Sequence, residues 1–283
     1  MKVINICVAG AGTMGSGIAL CAAQNGFKVI LFDLNSQVME KAISSIEKNL
    51  STLLEKNKIT AEEKQTIFNS ITFTSDIQDC KASLIIEAIV EKMAAKTDLF
   101  NQLALINSSE TIFASNTSSL SVDDLQRNVP NPERVAGMHF FNPAQIMKLV
   151  EVVKAVNTSE QTISALVEVC KKLQKTPVVC KDAPGFIVNR VARHYYLEAM
   201  RMVEKGIATM ESVDILMEAS GFKMGPFKLM DLIGNDINLA VSQSLYDAFE
   251  QEPRFQPSEL QIEKVRKGDL GKKTGKGFYD YHS

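Results

Sequence analysis

Residues 138–151, Met-His-Phe-Phe-Asn-Pro-Ala-Gln-Ile-Met-Lys-Leu-Val-Glu, set a histidine, an asparagine and a glutamate between two apolar runs. Residues 135–141 and 148–153 have the composition of short strands, and Asn142-Pro143 between them favours a turn and halts any helix. His139 and Glu151 then lie on neighbouring extended segments. An imidazole paired with a carboxylate is held in one tautomer and made more basic, which suits a general base or acid for a hydroxyl proton. The same two residues also describe a half-exposed sheet histidine with an unrelated surface glutamate. What decides between the two is whether the rest of the chain calls for acid–base chemistry.

The N-terminal part does. Residues 3–9 are a short β-branched run, Gly10-Ala11-Gly12-Thr13-Met14-Gly15 follows, and residues 16–25 have the pattern of a helix. This is G-x-G-x-x-G in its required strand–turn–helix setting. Gly10 allows the tight turn, Gly12 admits a pyrophosphate to the backbone, with Thr13 and Met14 opening the helix that faces it, and Gly15 lets helix and strand pack closely. A second strand, residues 28–32, ends in Asp33, eighteen residues after Gly15, where a carboxylate accepts hydrogen bonds from ribose hydroxyls. Asp33 repels a 2′-phosphate and Leu34-Asn35-Ser36 supplies no arginine, so the expected cofactor is NAD rather than NADP.

The elements that must position these residues are legible from periodicity. Residues 36–58 carry apolar side chains at helical spacing, and Thr60 with Glu63 forms a capping box, so a helical hairpin follows the second strand. Its lysines either face an anionic substrate or form a solvated surface. Strands are expected at 71–74, 84–86 and 111–114, with a helix over 92–106, continuing a doubly wound parallel sheet. The loops after two of these strands, residues 87–91 and 115–119, lie on the ligand side of such a sheet. Ser115-Asn116-Thr117-Ser118-Ser119 is equally readable as a helix cap.

A helix over 159–173 and a strand over 176–180 close the first domain, taken as residues 1–184. The second, residues 185–283, is almost wholly helical, with helices expected over 187–204, 210–219, 227–249 and 257–267. The fold class is α/β: an N-terminal Rossmann-like doubly wound sheet with a helical-hairpin insertion, plus an all-α C-terminal domain. Methionines at 200, 202, 210, 217, 224 and 230 read as adaptable core or subunit interface.

Bulk properties exclude other classes. The chain has 283 residues, 45% hydrophobic and 23% charged, with a formal net charge of -2, so no basic excess points to nucleic acid. Five cysteines, odd in number and never spaced as Cys-x-x-Cys, indicate free thiols in a reducing compartment and no metal centre. The opening residues resemble a signal peptide but lead straight into the glycine loop, and are read as a buried first strand. No stretch is apolar for long enough to span a bilayer, so no membrane association is expected and the protein is placed in the cytoplasm.

Gly-Ala-Gly-Thr-Met-Gly, Ala-Ser-Asn-Thr-Ser-Ser, Gly-Met-His-Phe-Phe-Asn-Pro, Lys-Leu-Val-Glu-Val-Val, Pro-Gly-Phe-Ile-Val-Asn-Arg, Met-Gly-Pro-Phe and Gly-Lys-Lys-Thr-Gly-Lys-Gly-Phe-Tyr occur in this order along the chain. Together they resemble the L-3-hydroxyacyl-CoA dehydrogenase family, of the 3-hydroxybutyryl-CoA dehydrogenase type. The resemblance implies NAD-dependent oxidation of an L-3-hydroxyacyl-CoA to the 3-ketoacyl-CoA, with His139 as acid–base residue and Glu151 orienting it. It further implies that Ser118, Asn142 and Asn189 border the substrate and that Glu91, Lys96, Asn116, Ser118, Asn142 and Lys273 border the cofactor. Lys56 matches a CoA contact, whereas Asn49 departs from the serine of one mammalian branch. A homodimer through the helical domain is also implied.

Asn189-Arg190-Val191-Ala192-Arg193-His194-Tyr195-Tyr196 resembles the form found in phenylacetate-catabolic relatives that handle 3-hydroxyadipyl-CoA, in which Arg190 or Arg193 could meet a terminal carboxylate. The other readings are a CoA-independent L-gulonate-type dehydrogenase and a crystallin-like structural protein that keeps the fold without turnover. The intact set of His139, Glu151, Ser118 and Asn189 argues against the last.

Overall fold

The glycine loop and the apolar run before it build the centre of a sheet. The computed structural model describes residues 3–282 and divides into two compact units, one ending at Ala183 and the other beginning at Pro184. In the first unit, strands β1 (Asn5–Ala9), β2 (Lys28–Phe32), β3 (Ile71–Thr74), β4 (Leu84–Glu87), β5 (Ile112–Ser115), β6 (Val135–Phe140), β7 (Leu149–Lys154) and β8 (Thr176–Lys181) form one sheet in the order β3-β2-β1-β4-β5-β6-β7-β8. Strands β1 to β6 are parallel, β7 is antiparallel to β6, and β8 is parallel to β7. Helices α1 (Thr13–Gln24), α2 (Ser36–Glu55), α3 (Ala61–Asn69), α4 (Met93–Ile106), α5 (Val122–Gln126) and α6 (Glu160–Lys172) connect or flank these strands.

The unbroken apolar character of β1 has a direct cause. Ile6 and Val8 enter a core with Ile18, Ile46 and Leu166, whereas Cys7 and Ala9 enter a second core with Phe100, Leu103 and Phe113. Both faces of the strand are covered, so neither set of alternating positions is polar. The α2–α3 hairpin forms as its caps dictate. Asn35 accepts from the amides of Gln37 and Val38, and Thr60 and Glu63 close the reciprocal capping box. Cys7, Cys21, Cys80 and Cys170 are buried free thiols and Cys180 is half-buried; burial pushes Cys170 up to about 12 and Cys180 up to about 11.

The second unit packs α7 (Val188–Glu204), α8 (Met210–Ala219), α9 (Pro226–Ile233), α10 (Asn235–Ala248) and α11 (Glu259–Arg266) around Leu197, Met200, Phe227 and Met230. The single helix expected over 227–249 is two helices. Gly234 between them adopts φ +105°, which no residue inside an α-helix can hold, so it ends α9 and caps α10. Of the methionines expected in core or interface, Met200 and Met230 are buried and the other four half-buried. Among the described residues no helix is long and apolar enough to cross a membrane.

Two buried carboxylates organise this unit. Asp214 on α8 accepts from the amides of Phe227 and Lys228 in the first turn of α9. Asp231 on α9 accepts from Asn235 Nδ2, from the amides of Phe278 and Tyr279, and from the Tyr281 hydroxyl. The C-terminal Gly-Lys-Gly-Phe-Tyr run is thereby folded onto α9. Replacing Asp231 by alanine strands these donors in the interior, which costs about 3 kcal/mol or more; the denaturant midpoint of Asp231→Ala is expected to fall accordingly. Burial, followed by contact with Asp214 or Asp231, also pushes the Tyr279 and Tyr281 phenols upward. Folded values above unfolded ones mean full stability below about pH 10 and progressive loss above it, measurable as a falling melting temperature in alkaline titration.

Candidate active site

The loop after β1 is shaped by close approach on one side and openness on the other. A Cβ on Gly15 would sit 1.7 Å from the Gly10 carbonyl oxygen, so only glycine lets α1 start this near the strand. A Cβ on Gly12 would meet nothing within 4 Å. Gly12 is also the N-cap of α1 and makes no side-chain cap bond, so the first amides of the helix point out of the loop. Asp33, just past β2, takes the Ala11 amide on Oδ2 at 2.8 Å and the Asn35 amide on Oδ1 at 2.9 Å. A carboxylate has about four lone-pair sites, so acceptor capacity is left for a diol. The following Leu34 is exposed, and Asn35 and Ser36 after it carry no positive charge. An open backbone, a helix N-terminus and an acidic strand end fit a dinucleotide pyrophosphate and an unphosphorylated ribose.

His139 on β6 and Glu151 on β7 are direct partners in the antiparallel register. Directly opposed side chains leave the sheet on the same face. His139 Nδ1 lies 2.8 Å from Glu151 Oε2, with the side chains 7% and 1% exposed. An ionised carboxylate can only accept, so Nδ1 carries the hydrogen and Nε2 is the basic nitrogen. The Phe141 ring packs against the imidazole, centroids 4.6 Å apart.

The loops after β4 and β5 are joined by an ionic network centred on the buried Lys96. Lys96 on α4 contacts Glu87 Oε1 at 2.7 Å and Glu91 Oε2 at 3.0 Å. Glu91 Oε1 accepts from the Thr117 hydroxyl and from the amides of Ser118 and Ser119. Burial works against the Glu91 charge, but the Lys96 ammonium and these donors outweigh it and hold the carboxyl below the usual carboxylate range. Asn116 Oδ1 accepts from the Phe140 amide at 2.8 Å, tying this loop to the residue after His139.

Asn142 is the second residue of the β6–β7 connection and is joined to Pro143 by a cis peptide. It lines a cavity of about 460 Å³ together with Gly12, Thr13, Ser45, Asn49 and Gln145. Asn49 donates to the Ser45 carbonyl within α2, and Lys56 is exposed at the C-cap of the same helix. In the second unit, Asn189 is the second residue of α7 and is half-buried. Lys273 is held by both oxygens of Asp236 at 2.6 and 2.7 Å.

Arg193 requires a correction. Expected as a possible carboxylate receptor, it is a core residue, 2% exposed, with Nη1 donating to the Asn238 carbonyl and side chain and to the Ser242 hydroxyl. Burial holds its pKa down to about 10. The reason is helical phase, which turns position 193 toward α10. Arg190 stacks over the Phe249 ring, 4.7 Å from its centroid.

Two residues in the neighbourhood escape sequence reasoning. Glu87 shows only as an acid ending the apolar strand Leu-Ile-Ile-Glu. Lys175, whose Nζ donates to the carbonyls of Ala144 and Met147 and so braces the Asn142 loop, has no sequence signal at all. No group of histidine, cysteine or acidic side chains able to hold a metal occurs among the described residues.

The fold and glycine loop define a dinucleotide-binding protein of the doubly wound class. Residues 5–183 match the model of the 3-hydroxyacyl-CoA dehydrogenase NAD binding domain and residues 185–281 match the C-terminal domain of the same family. The chain is 44% identical to the 3-hydroxyadipyl-CoA dehydrogenase of Escherichia coli (strain K12), covering 100% of this chain and 60% of that protein. A crystal structure of 3-hydroxybutyryl-CoA dehydrogenase from Escherichia coli K12 superposes with a TM-score of 0.97 at 44% identity, over 100% of this chain and 60% of that one. The probable 3-hydroxybutyryl-CoA dehydrogenase of Bacillus subtilis (strain 168) is 41% identical over 99% of this chain and 98% of its own length. The chain thus spans three fifths of the first two relatives and nearly all of the third. It belongs to the 3-hydroxyacyl-CoA dehydrogenase family, and its first unit is an NAD-binding domain.

Because the Gly12 Cβ position is open, Gly12→Val is expected to change unfolding free energy by about 1 kcal/mol or less while lowering NADH affinity by roughly tenfold or more. Fluorescence titration with NADH, alongside a thermal melt, separates the two effects.

Proposed function

We propose that this protein catalyses the reversible NAD-dependent oxidation of a short-chain L-3-hydroxyacyl-CoA, of the 3-hydroxybutyryl-CoA type, to the 3-ketoacyl-CoA. The observation that carries this reading is the buried His139–Glu151 pair, which belongs to the same unit as a loop built for a dinucleotide. NAD, when bound, would supply the acceptor for the hydride that leaves C3. A base must then take the hydroxyl proton, and His139 Nε2 is that base, returning the proton in the reverse direction. Glu151 keeps the Nδ1–H tautomer and stabilises the imidazolium that forms.

Ser118 and Asn189 are assigned to hydrogen bonds with the oxygen at C3 as its charge develops. The glycine loop and Asp33 hold the adenosine and pyrophosphate, while Glu91, Lys96, Asn116, Asn142 and Lys273 serve the nicotinamide half. Lys56 is assigned to CoA. A homodimer through the helical unit and a cytoplasmic location complete the reading, supported by family resemblance and by the free thiols.

A second substrate, 3-hydroxyadipyl-CoA, is favoured by the name of the 44% identical relative. The burial of Arg193 leaves Arg190 as the remaining candidate for its terminal carboxylate.

The test is oxidation of NADH by the purified protein with acetoacetyl-CoA, with NADPH and with free acetoacetate as controls, and with 3-oxoadipyl-CoA as rival substrate. Rapid turnover is expected with NADH and a CoA ester only; activity on free acetoacetate or a preference for NADPH overturns the reading. His139→Gln is expected to abolish turnover with NADH binding nearly intact. Glu151→Gln is expected to lower kcat by on the order of a hundredfold or more.

A further inference from the structure

We propose that Glu87 is a positioning residue of this site: its carboxylate fixes Lys96, and through Lys96 and Glu91 it sets the conformation of the 115–119 loop. The inference rests on the reading that Asn116 and Ser118 border the reacting groups. Glu87 closes β4 with a side chain 0% exposed, and Lys96 is 1% exposed. Glu87 Oε1 takes the Lys96 ammonium and the Ile89 amide, both at 2.7 Å, and Oε2 takes the Ser115 hydroxyl at 2.6 Å. Glu91, with its side chain 37% exposed, stands on the far side of the same ammonium. Its other oxygen gathers donors from three consecutive residues, Thr117, Ser118 and Ser119.

The contacts form a ring, Ser115 to Glu87 to Lys96 to Glu91 to Thr117, that begins and ends in one loop. Asn116 lies inside this ring and binds the Phe140 amide, so the ring also braces the strand that carries His139. The desolvation of a fully buried ion pair offsets most of its attraction, so stability alone does not account for it. What the ring supplies is orientation: two loops from neighbouring strands are held to one arrangement. The charged groups brought to Glu87 are Lys96 from α4 and, beyond that ammonium, Glu91; Ser115 from β5 is neutral.

The experiment compares wild type with Glu87→Gln, Lys96→Met and the double variant in three readouts: NADH titration by fluorescence, kcat with acetoacetyl-CoA, and melting temperature between about pH 5 and about pH 8. Glu87→Gln keeps the size of the side chain and loosens its hold on Lys96, so NADH affinity and kcat are each expected to fall roughly tenfold or more with little change in melting temperature. In Lys96→Met, Glu87 is a buried carboxylate without a cation. Burial without a counter-ion opposes the charged form, so stability is intact at low pH and lost as pH rises. The melting temperature of Lys96→Met should therefore fall from about pH 5 to about pH 8, and adding Glu87→Gln should remove that slope without restoring NADH affinity. Wild-type NADH affinity and kcat in Glu87→Gln overturn the proposal, as do parallel melting curves of Lys96→Met and the double variant. If Lys96→Met does not fold, the Glu87→Gln and double variants still decide. A wild type that binds NADH but leaves acetoacetyl-CoA unreduced overturns the assigned reaction instead, and the titrations and melts still judge the ring.

Discussion

The antiparallel pairing of β7 with β6 is the constraint on which the site depends. Six parallel strands carry the chain to Phe140 with His139 turned to one face. A further parallel strand, added after a helical crossover, would bring no carboxylate from the adjoining loop alongside that histidine. Instead the short 141–148 connection reverses the chain, and the register sets Glu151 directly across from His139. Twelve residues of sequence separation become 2.8 Å. A shift of one residue would turn Glu151 to the opposite face, so the pair depends on the register as much as on the residues themselves.

Buried polar groups around that pair act as braces. Lys175 holds two carbonyls of the reversing connection, and Asn116 holds the Phe140 amide. Asp33 clasps the glycine loop from the end of the next strand. Each satisfies a backbone group that a loop would otherwise leave unpaired in the interior, which is how loops at the carboxyl ends of strands keep one shape. The helical unit uses the same device, with Asp214 and Asp231 collecting the first turn of α9 and the C-terminal run.

Departures from periodicity have local physical causes. A single helix is expected over 227–249, yet Gly234 takes φ +105° and divides it. The first strand begins at Asn5, where the Ser83 hydroxyl takes up the amides of Ile4 and Asn5 ahead of the regular ladder. Arg193 looked available because arginine is usually exposed, but its helix turns it toward Asn238 and Ser242.

By itself the sequence determined the class of fold and the kind of ligand. Glycines at 10, 12 and 15, an acid at 33 and the alternation of strands with helices are local patterns, and local sterics and burial periodicity suffice to read them. It also placed His139 and Glu151 on adjoining strands, because Asn-Pro marks a reversal. Only the tertiary structure decided the antiparallel register, the ring through Glu87, Lys96 and Glu91, and the brace from Lys175. Those contacts join residues from separate elements, and their geometry follows from how sheet and helices pack, which no local pattern encodes.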